Sequence, residues 1–197
     1  MSQADKVLDF AYHHNGIVTS AQVTREGISR QYLKNLLDKG LLERSGRGVY
    51  ILPDKFDDEM FNLQHRYSKG IFSHKTALFL LDLTDRTPGS YSMTFPLSYN
   101  TSNLKKENIR YFRVKEELYD LGIITKKTPG GNEVKLYNAE RTLCDILKGC
   151  SRTDIQIISE AFKGYTRRDN KDIPLLSKYA KLLRVENKLR SYLEVLL

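Results

Sequence analysis

The first fifty residues carry apolar side chains at the three- and four-residue spacing of amphipathic helices. Val7, Leu8 and Ala11 share one face of a helix that is predicted to begin at Ser2 and to end at Gly16. A Ser-x-x-Asp pattern at its start has the spacing of a capping box, in which two side chains satisfy backbone N–H groups that a helix start leaves open. The pattern therefore predicts a first helix with a defined start and end.

A second helix is predicted over Thr19–Gly27, after a short extended piece. Thr19 and Gln22 again have capping-box spacing. Val18 and Val23 lie at the N′ and N4 positions, where two apolar side chains pack together as a hydrophobic staple. Both signals place the start of this helix at Thr19.

The third helix follows almost at once, with Ser29 as its predicted N-cap and Gly40 as its end. Its apolar positions recur at helical intervals and are expected to face the core: Leu33, Leu36, Leu37 and Leu41. Its polar positions fall largely on the other faces: Arg30, Gln31, Lys34 and Asn35. The helix is therefore expected to present a partly cationic face to solvent.

Two short strands, Leu41–Arg44 and Val49–Leu52, are predicted directly behind the third helix. Residues 45–48 (Ser-Gly-Arg-Gly) form the turn, whose glycines are expected to supply the positive φ angles of a tight hairpin. Three helices, a short strand and a cationic hairpin are the layout of a winged helix-turn-helix domain. We therefore predict a DNA-binding domain over residues 1–56, which Pro53 and an acidic joint separate from the rest.

In such a domain the third helix lies in the major groove and the hairpin contacts the DNA backbone. Arg30 can donate two hydrogen bonds to a guanine edge, and Gln31 or Asn35 can pair with adenine. Arg44 and Arg47 would contact the backbone or enter the minor groove. The candidate DNA-binding residues are Thr19, Gln22, Ser29, Arg30, Gln31, Tyr32, Lys34, Asn35, Arg44 and Arg47. The alternative is a protein-interaction module, in which these side chains form only a solvated face.

Residues 57–197 are predicted to form a second, mixed α/β domain with a small sheet and a helical C-terminal half, so the fold class is α+β. Predicted helices cover residues 57–69, 74–82, 139–147, 153–165, 174–183 and 185–197. Predicted strands cover residues 70–72, 91–95, 108–114, 122–128 and 133–137.

The net charge of +8 is concentrated in the second domain. Residues 1–56 carry +2, residues 57–100 carry −1 and residues 101–197 carry +7. A basic protein without a membrane segment most often meets a polyanion, so we expect a second contact surface for DNA or RNA; a merely solvated surface is the alternative. Its candidate residues are Lys105, Lys106, Arg110, Lys126, Lys127, Lys135, Arg167, Arg168 and Lys171.

Neither a membrane partner nor a bound cofactor is expected. The longest apolar run, Ala77–Leu81, is far shorter than the roughly 20 residues that cross a bilayer, and no signal peptide is visible, so a cytoplasmic location is predicted. Cys144 and Cys150 have no neighbouring Cys or His cluster, which fits neither a zinc site nor a redox CxxC pair. Both are expected to be reduced thiols, with Cys144 in a core.

Catalytic motifs are sparse, and the chain is not expected to be an enzyme. Asp120 with Glu133 and Lys135 weakly resembles the D…E-x-K site of restriction-type nucleases, in which two carboxylates hold Mg²⁺ and a lysine orients water. The tripeptide is too common to carry that function by itself. The four histidines have no second ligand at usable spacing and are expected to be solvated or locally bonded: His13, His14, His65 and His74.

Over nearly the whole chain the sequence resembles the AbiE-type (AbiEi) antitoxin family. In that family a winged helix precedes a serine-histidine helix start, a strand ending in proline and an E-R-T-L-x-D helix. The segments that carry the resemblance are Ile71–Leu83 (IFSHKTALFLLDL), Tyr91–Pro96 (YSMTFP), Ile109–Val114 (IRYFRV) and the run from Gly122 to Asp145. The last part of that run lies in the segment YNAERTLCDIL, residues 137–147. The most specific piece is Glu140–Leu143 followed by Asp145.

The resemblance implies a bacterial type IV toxin–antitoxin system that aborts phage infection. It implies a repressor that binds inverted repeats in its own promoter, and a C-terminal domain that counteracts a nucleotidyltransferase toxin without forming a stable complex with it. Arg141 and Asp145 lie four apart on one helix face, so they are expected to pair or to fix the helix to the sheet rather than to catalyse. Two alternatives stay open, a winged-helix-targeted metal-dependent nuclease and a ligand-responsive transcription regulator.

Overall fold

The computed structural model describes residues 2–149 and 152–196. Its contacts divide the chain into two compact units. The first contains the chain to Ser68 together with Lys127–Val134, and the second contains Lys69–Lys126 together with the chain from Lys135 onward. The described part of the chain holds ten α-helices and two β-sheets, so the fold is α+β.

Four helices and three short strands build the first unit. In chain order they are α1 (Gln3–His13), β1 (Ile17–Thr19), α2 (Ser20–Arg25), α3 (Gln31–Asp38), β2 (Glu43–Gly46), β3 (Val49–Ile51) and α4 (Glu59–Arg66). Both predicted capping boxes are present, with the Ser2 hydroxyl accepting from the Asp5 amide and the Thr19 hydroxyl accepting from the Gln22 amide. Local sequence therefore defines where α1 and α2 begin.

The three strands form an antiparallel sheet in the order β1-β3-β2. Ile17 pairs with Ile51, and Arg44 pairs with Tyr50 across the hairpin. One apolar core collects the buried faces of the first three helices and of the segments around the sheet: Val7, Ala11, Val18, Val23, Ile28, Leu33, Leu36, Leu42 and Leu52. Most of the periodic apolar positions thus lie in one continuous core, but Leu41, which was expected to face it, is 45% exposed after the end of α3.

Helix α3 begins one residue later than predicted. Arg30, rather than Ser29, occupies the N-cap, and its backbone is already helical with φ −60° and ψ −16°. The Ser29 hydroxyl accepts a 3.3 Å hydrogen bond from the Gln31 amide. Ser29 therefore still satisfies one N–H group of the first turn, from one position further out.

Strand β2 covers residues 43–46 instead of the predicted 41–44. The amides of Leu41 and Leu42 donate to the Leu36 carbonyl at the end of α3, at 2.9 and 3.3 Å. They complete the helix terminus and are not available to a strand ladder. The apolar pair that suggested a strand therefore lies after α3 and closes its C-terminal end.

Only one of the two turn glycines has the predicted positive φ. Gly48 has φ +75°, and a Cβ atom there would approach the Ser20 hydroxyl to 2.8 Å. Gly46 instead ends β2 with an ordinary backbone, next to an irregularity in the pairing after Arg44. Gly48 is thus the position that requires glycine.

The second unit contains most of a five-stranded sheet and six helices. Its elements are β4 (Ile71–Phe72), α5 (His74–Leu80), β5 (Tyr91–Pro96), a 3-10 helix (Ser102–Lys106), β6 (Ile109–Val114), α6 (Glu116–Tyr119), β7 (Ile123–Lys127), β8 (Glu133–Tyr137), α7 (Ala139–Leu147), α8 (Ile155–Thr166), α9 (Ile173–Leu183) and α10 (Glu186–Leu196). The last residue of β7 and the first two of β8 belong to the first unit.

The larger sheet has the strand order β6-β5-β4-β8-β7. Strand β4 pairs antiparallel with β5 and parallel with β8, and β5 pairs parallel with β6, so the sheet is mixed, as predicted. Pro96 does not stop β5 but is its last paired residue, opposite Val114. A proline is tolerated at such a terminal position because no ladder hydrogen bond needs its missing N–H. The short α6 and the 3-10 helix lie in segments where no element was predicted.

The prediction of a core cysteine is confirmed for Cys144, which is fully buried; burial raises the pKa of its thiol to about 12. Cys150 lies outside the described residues. No helix of the described chain combines the length and the apolar character needed to cross a membrane.

Candidate nucleic-acid interface

Helix α3 separates an apolar face from a polar one. Leu33 and Leu36 are buried in the core of the first unit. The side chains on the other faces are exposed: Ser29, Arg30, Gln31, Lys34 and Asn35. The eight-residue helix therefore presents amides and cations together, the side chains that can read base edges and bind phosphates.

Two of these side chains are positioned by neighbours. The Arg30 Nε donates a 2.9 Å hydrogen bond to the hydroxyl of Thr24 on α2. The Gln31 amide donates to the Asn35 amide oxygen at 3.3 Å, one helical turn away. The first bond directs the guanidinium across the start of α3, and the second aligns the two amides along one helix face.

The hairpin behind α3 carries two exposed arginines. Arg44 lies on β2, opposite Tyr50, and its Nε donates to the Gly46 carbonyl at 3.4 Å. Arg47 lies in the turn between the strands. The hairpin thus adds two positive charges to those of α3 within the same compact unit.

The hairpin is held by α4 close to its turn. The Asn62 amide donates to the Ser45 hydroxyl and to the Asp57 carboxylate, both at 2.6 Å, and the Ser45 hydroxyl also bonds Asp57. Side-chain bonds of this kind fix a hairpin that has only three paired positions in its ladder. Arg44 and Arg47 stay exposed despite this attachment.

Three of the predicted DNA-binding side chains already make contacts within the protein. Thr19 is 5% exposed, and its hydroxyl serves the capping box, so little of it is left for the predicted phosphate contact. The Gln22 oxygen accepts from the Thr19 amide at 2.9 Å. Tyr32 is half-buried against the apolar core. Sequence spacing revealed the capping box but not that it buries Thr19.

The predicted second basic surface is distributed over several places. At the end of α5, Arg168 donates to the Leu81 and Asp82 carbonyls, Lys126 forms a 2.7 Å ion pair with the Asp82 carboxylate, and Lys171 donates to the Arg168 carbonyl. These cations stabilise the second unit locally. Arg167 is exposed at the end of α8.

The other predicted cations lie elsewhere. The Arg110 guanidinium lies 5.4 Å from the Phe112 ring centroid. Lys135 is exposed on β8, and Lys127 belongs to the first unit. The side chains of Lys105 and Lys106 lie outside the described part of the chain. Arg110 lines the same cavity as Lys148 and Arg152, and no sequence spacing connects these three residues.

The Glu140–Asp145 motif is buried throughout α7. The Arg141 Nε donates to the Asp145 carboxylate at 3.0 Å, which confirms the expected pairing. A second guanidinium nitrogen donates to the Leu118 and Leu121 carbonyls, so Arg141 also holds the segment around α6. A buried charge is tolerated when it is paired and hydrogen-bonded in this way.

Glu140 of the same motif accepts a 2.8 Å hydrogen bond from the Tyr165 hydroxyl. Burial, with the neighbouring Glu140, raises the pKa of Tyr165 well above its usual range. Tyr165 therefore stays a neutral donor at physiological pH, and the pair joins α7 to α8. The motif acts through internal contacts and exposes no reactive group.

The weakly indicated nuclease residues do not gain support. Asp120 is an exposed residue that follows α6, and Glu133 and Lys135 are exposed at the start of β8. Within residues 2–149 and 152–196 no group of three or more His, Cys, Asp or Glu side chains is arranged to hold a metal ion.

Comparison with known proteins connects the first unit to a family. Residues 5–53 match the family described as transcriptional regulator, AbiEi antitoxin, which confirms the family predicted from the sequence. The match contains α1 to β3, and with them the exposed face of α3 and the hairpin. It supports a role as an antitoxin and transcriptional regulator.

The fold as a whole is similar to a solved structure. The crystal structure of the RV2827C protein from Mycobacterium tuberculosis superposes with a TM-score of 0.57 and 14% sequence identity, over 91% of this chain and 71% of that one. At this identity the likeness concerns the fold alone. No curated protein matches the chain.

Proposed function

We propose that this chain, whose residues 5–53 match the AbiEi antitoxin family, represses its own operon by binding promoter DNA through a winged helix. The observation that carries the proposal is the exposed face of α3 beside a hairpin with two exposed arginines, all inside the matched segment. The order of helices and strands, with the sheet order β1-β3-β2, supports the winged-helix assignment.

In this proposal α3 enters the major groove with its N-terminal half. Arg30 donates to a guanine edge, and Gln31 or Asn35 pairs with adenine. Lys34, Arg44 and Arg47 contact phosphates and fix the register of the protein on the duplex. Inverted repeats in the promoter recruit two copies, with half-sites about 34 Å or a multiple of it apart.

The antitoxin role belongs to the second unit in this proposal. The chain counteracts a nucleotidyltransferase toxin of a type IV system without a stable complex and without a catalytic step of its own. Support comes from the antitoxin family of the first unit and from the excess of cations over residues 101–197, +7, a range that lies mostly in the second unit. Phage resistance follows from the same system.

The DNA-binding part of the proposal is tested by fluorescence anisotropy of the full chain on a duplex from its own promoter. Arg30→Ala and Arg47→Ala should each weaken binding by about five- to a hundredfold, as expected for the loss of a base or phosphate contact. Lys6→Ala, which removes an exposed cation from α1, is the matched control and should bind as the unsubstituted chain does. Unchanged binding by both arginine variants would show that the assigned face is wrong.

The antitoxin part of the proposal is tested by co-expression with the nucleotidyltransferase toxin that it assumes. The doubly substituted chain, with Arg30→Ala and Arg47→Ala, should still rescue growth when expressed from a foreign promoter, because neutralisation is assigned to the second unit. Loss of rescue in a variant that stays folded by circular dichroism would contradict this division of roles.

A further inference from the structure

The second unit contains a cavity of about 580 Å³ that the proposed DNA and antitoxin roles do not use. It lies between β6, the start of α5 and the end of α7. The side chains that matter for its chemistry are His74, Arg110, Arg113, Asp145, Lys148 and Arg152. Its volume is within the range of about 300–1,000 Å³ that is usual for small-molecule sites.

The lining of this cavity is strongly cationic. Four side chains carry a positive charge, and the carboxylate of Asp145 is the one acidic group among the lining residues. Asp145 already accepts a 3.0 Å hydrogen bond from Arg141 and lies 3.6 Å from the Lys148 ammonium. Its charge is thus largely matched by Arg141, which leaves an excess of cations on the cavity wall.

His74 contributes a buried polar group without a partner. The residue is 4% exposed, its backbone has φ +50°, and its ring stacks on Phe112 with centroids 3.5 Å apart. The Nε2 atom has no hydrogen-bond partner among the described residues. An unsatisfied buried group costs about 1–3 kcal/mol, and strained backbone concentrates at sites that bind ligands.

The hydrogen bonds behind His74 determine which ring nitrogen carries the proton. The Thr94 hydroxyl donates to the Ser73 oxygen at 2.8 Å, and the Ser73 oxygen lies 3.0 Å from His74 Nδ1. When the Ser73 hydroxyl donates to Nδ1, the ring proton lies on Nε2, and this is the tautomer that a ligand acceptor at Nε2 would select. Burial lowers the pKa of His74 to about 4, so the ring is a neutral N–H donor at physiological pH.

We propose that this cavity binds a phosphorylated small molecule of the nucleoside di- or triphosphate class, whose phosphate oxygens contact the four cations and accept from His74 Nε2. A ligand with a single carboxylate would leave most of the positive charge of the cavity unmatched. A di- or triphosphate carries several negative charges and many acceptor oxygens. The enclosed Nε2 favours a small ligand over the backbone of a duplex, which lies along an open surface. Phe112 is already covered by His74, so recognition is assigned to the phosphates and not to the base.

Binding at this site is independent of the proposed contact between α3 and the promoter. A free nucleotide and a nucleic acid with a terminal phosphate both carry the phosphate group that the cavity is proposed to bind. The experiment therefore compares both sources with the same protein.

Isothermal titration calorimetry of the full chain at physiological salt supplies the test, with pyrophosphate, GTP, and a short single-stranded DNA with and without a 5′-phosphate as probes. Pyrophosphate and GTP should bind, and the double variant Arg113→Ala/Arg152→Ala should bind at least about tenfold more weakly, since two charge-assisted contacts are lost. Both side chains are exposed, so the variant should keep its fold. Lys178→Ala, an exposed cation on α9 outside the cavity, should leave binding unchanged.

His74→Phe separates binding from structure, because it keeps the stacked ring and removes the Nε2 donor. Binding should weaken severalfold while the variant stays folded by circular dichroism. The Ser73 hydroxyl loses its Nδ1 partner in this variant, so no gain in stability is expected. Absence of pyrophosphate and GTP binding at millimolar concentration would overturn the proposal. So would binding of the 5′-phosphorylated DNA alone, or equal binding by the double variant and the Lys178→Ala control.

Discussion

Helices α3 and α7 both carry an arginine with a polar partner, but they use it in opposite ways. In α3 two leucines are buried and the charged side chains are exposed. In α7 all nine residues are buried, including Glu140, Arg141 and Asp145. The charges of α3 are available to a partner, whereas those of α7 are used within the protein.

The difference shows that a charged motif is informative about function only once its surroundings are known. Arg30 has one side-chain bond, to Thr24, and the rest of its guanidinium faces solvent. Arg141 is bonded to Asp145 and to two backbone carbonyls, and its guanidinium lies 4.2 Å from the Tyr137 ring centroid. The motif of α7 therefore serves internal contacts, whereas the exposed face of α3, which lies inside the segment that matches the family, forms the candidate interface.

The largest effect is expected when the internal charge of α7 is removed. Arg141→Ala leaves Asp145 buried without its main partner and should lower the free energy of unfolding by about 3–5 kcal/mol. Arg30→Ala, the same substitution on the exposed face of α3, should change it by less than about 0.5 kcal/mol. Urea denaturation followed by circular dichroism measures both. Equal losses would mean that the two arginines do not differ as described.

Acidification should weaken the second unit through His74. The folded pKa of about 4 lies below the ordinary value of 6.5, so the unfolded state binds the extra proton between these values. Stability should be complete above pH 6.5 and fall by about 3 kcal/mol by pH 4. The neighbours that act on the ring are Asp145, which favours its protonation, and Lys148, Arg110 and Arg141, which oppose it.

His74→Phe provides the control for this pH dependence. Unfolding titrations of the variant at pH 7 and pH 4.5 should differ much less than those of the unsubstituted chain, because the buried titrating group is absent. An identical acid dependence in both proteins would assign the effect to other groups.

The smallest of these effects concerns Thr19, where the sequence suggested a DNA contact and the fold shows a buried cap. Thr19→Ala should cost about 1 kcal/mol of stability through loss of the capping box. DNA affinity measured well below the melting temperature should change by less than about twofold, because no exposed contact is removed. A large loss of DNA affinity with unchanged stability would show that Thr19 contacts the DNA.

Local signals predicted the elements of the first unit well. Capping residues gave the starts of α1 and α2, and apolar periodicity separated the buried and exposed faces of α3. The first strand of the hairpin was predicted two residues too early, because sequence does not show that Leu41 and Leu42 donate to the end of α3. Propensity indicated the strands but could not indicate where each amide finds its acceptor.

Residue spacing in the sequence could not predict contacts between distant parts of the chain. Asp58 accepts from Asn132 at 2.9 Å across 74 positions, which packs residues 127–134 with the first unit. His74 and Lys148 meet at one cavity for the same reason. A single sequence reveals the periodicity of each element, whereas such pairs are created by the tertiary fold.

The most direct test of the DNA-binding surface is a two-dimensional ¹⁵N NMR titration of the full chain with its promoter duplex. The amides of Arg30–Asn35 and Arg44–Arg47 should shift or broaden first and most strongly. Shifts confined to the second unit, with those two segments unchanged, would contradict the assignment of α3 and the hairpin as the surface that binds DNA.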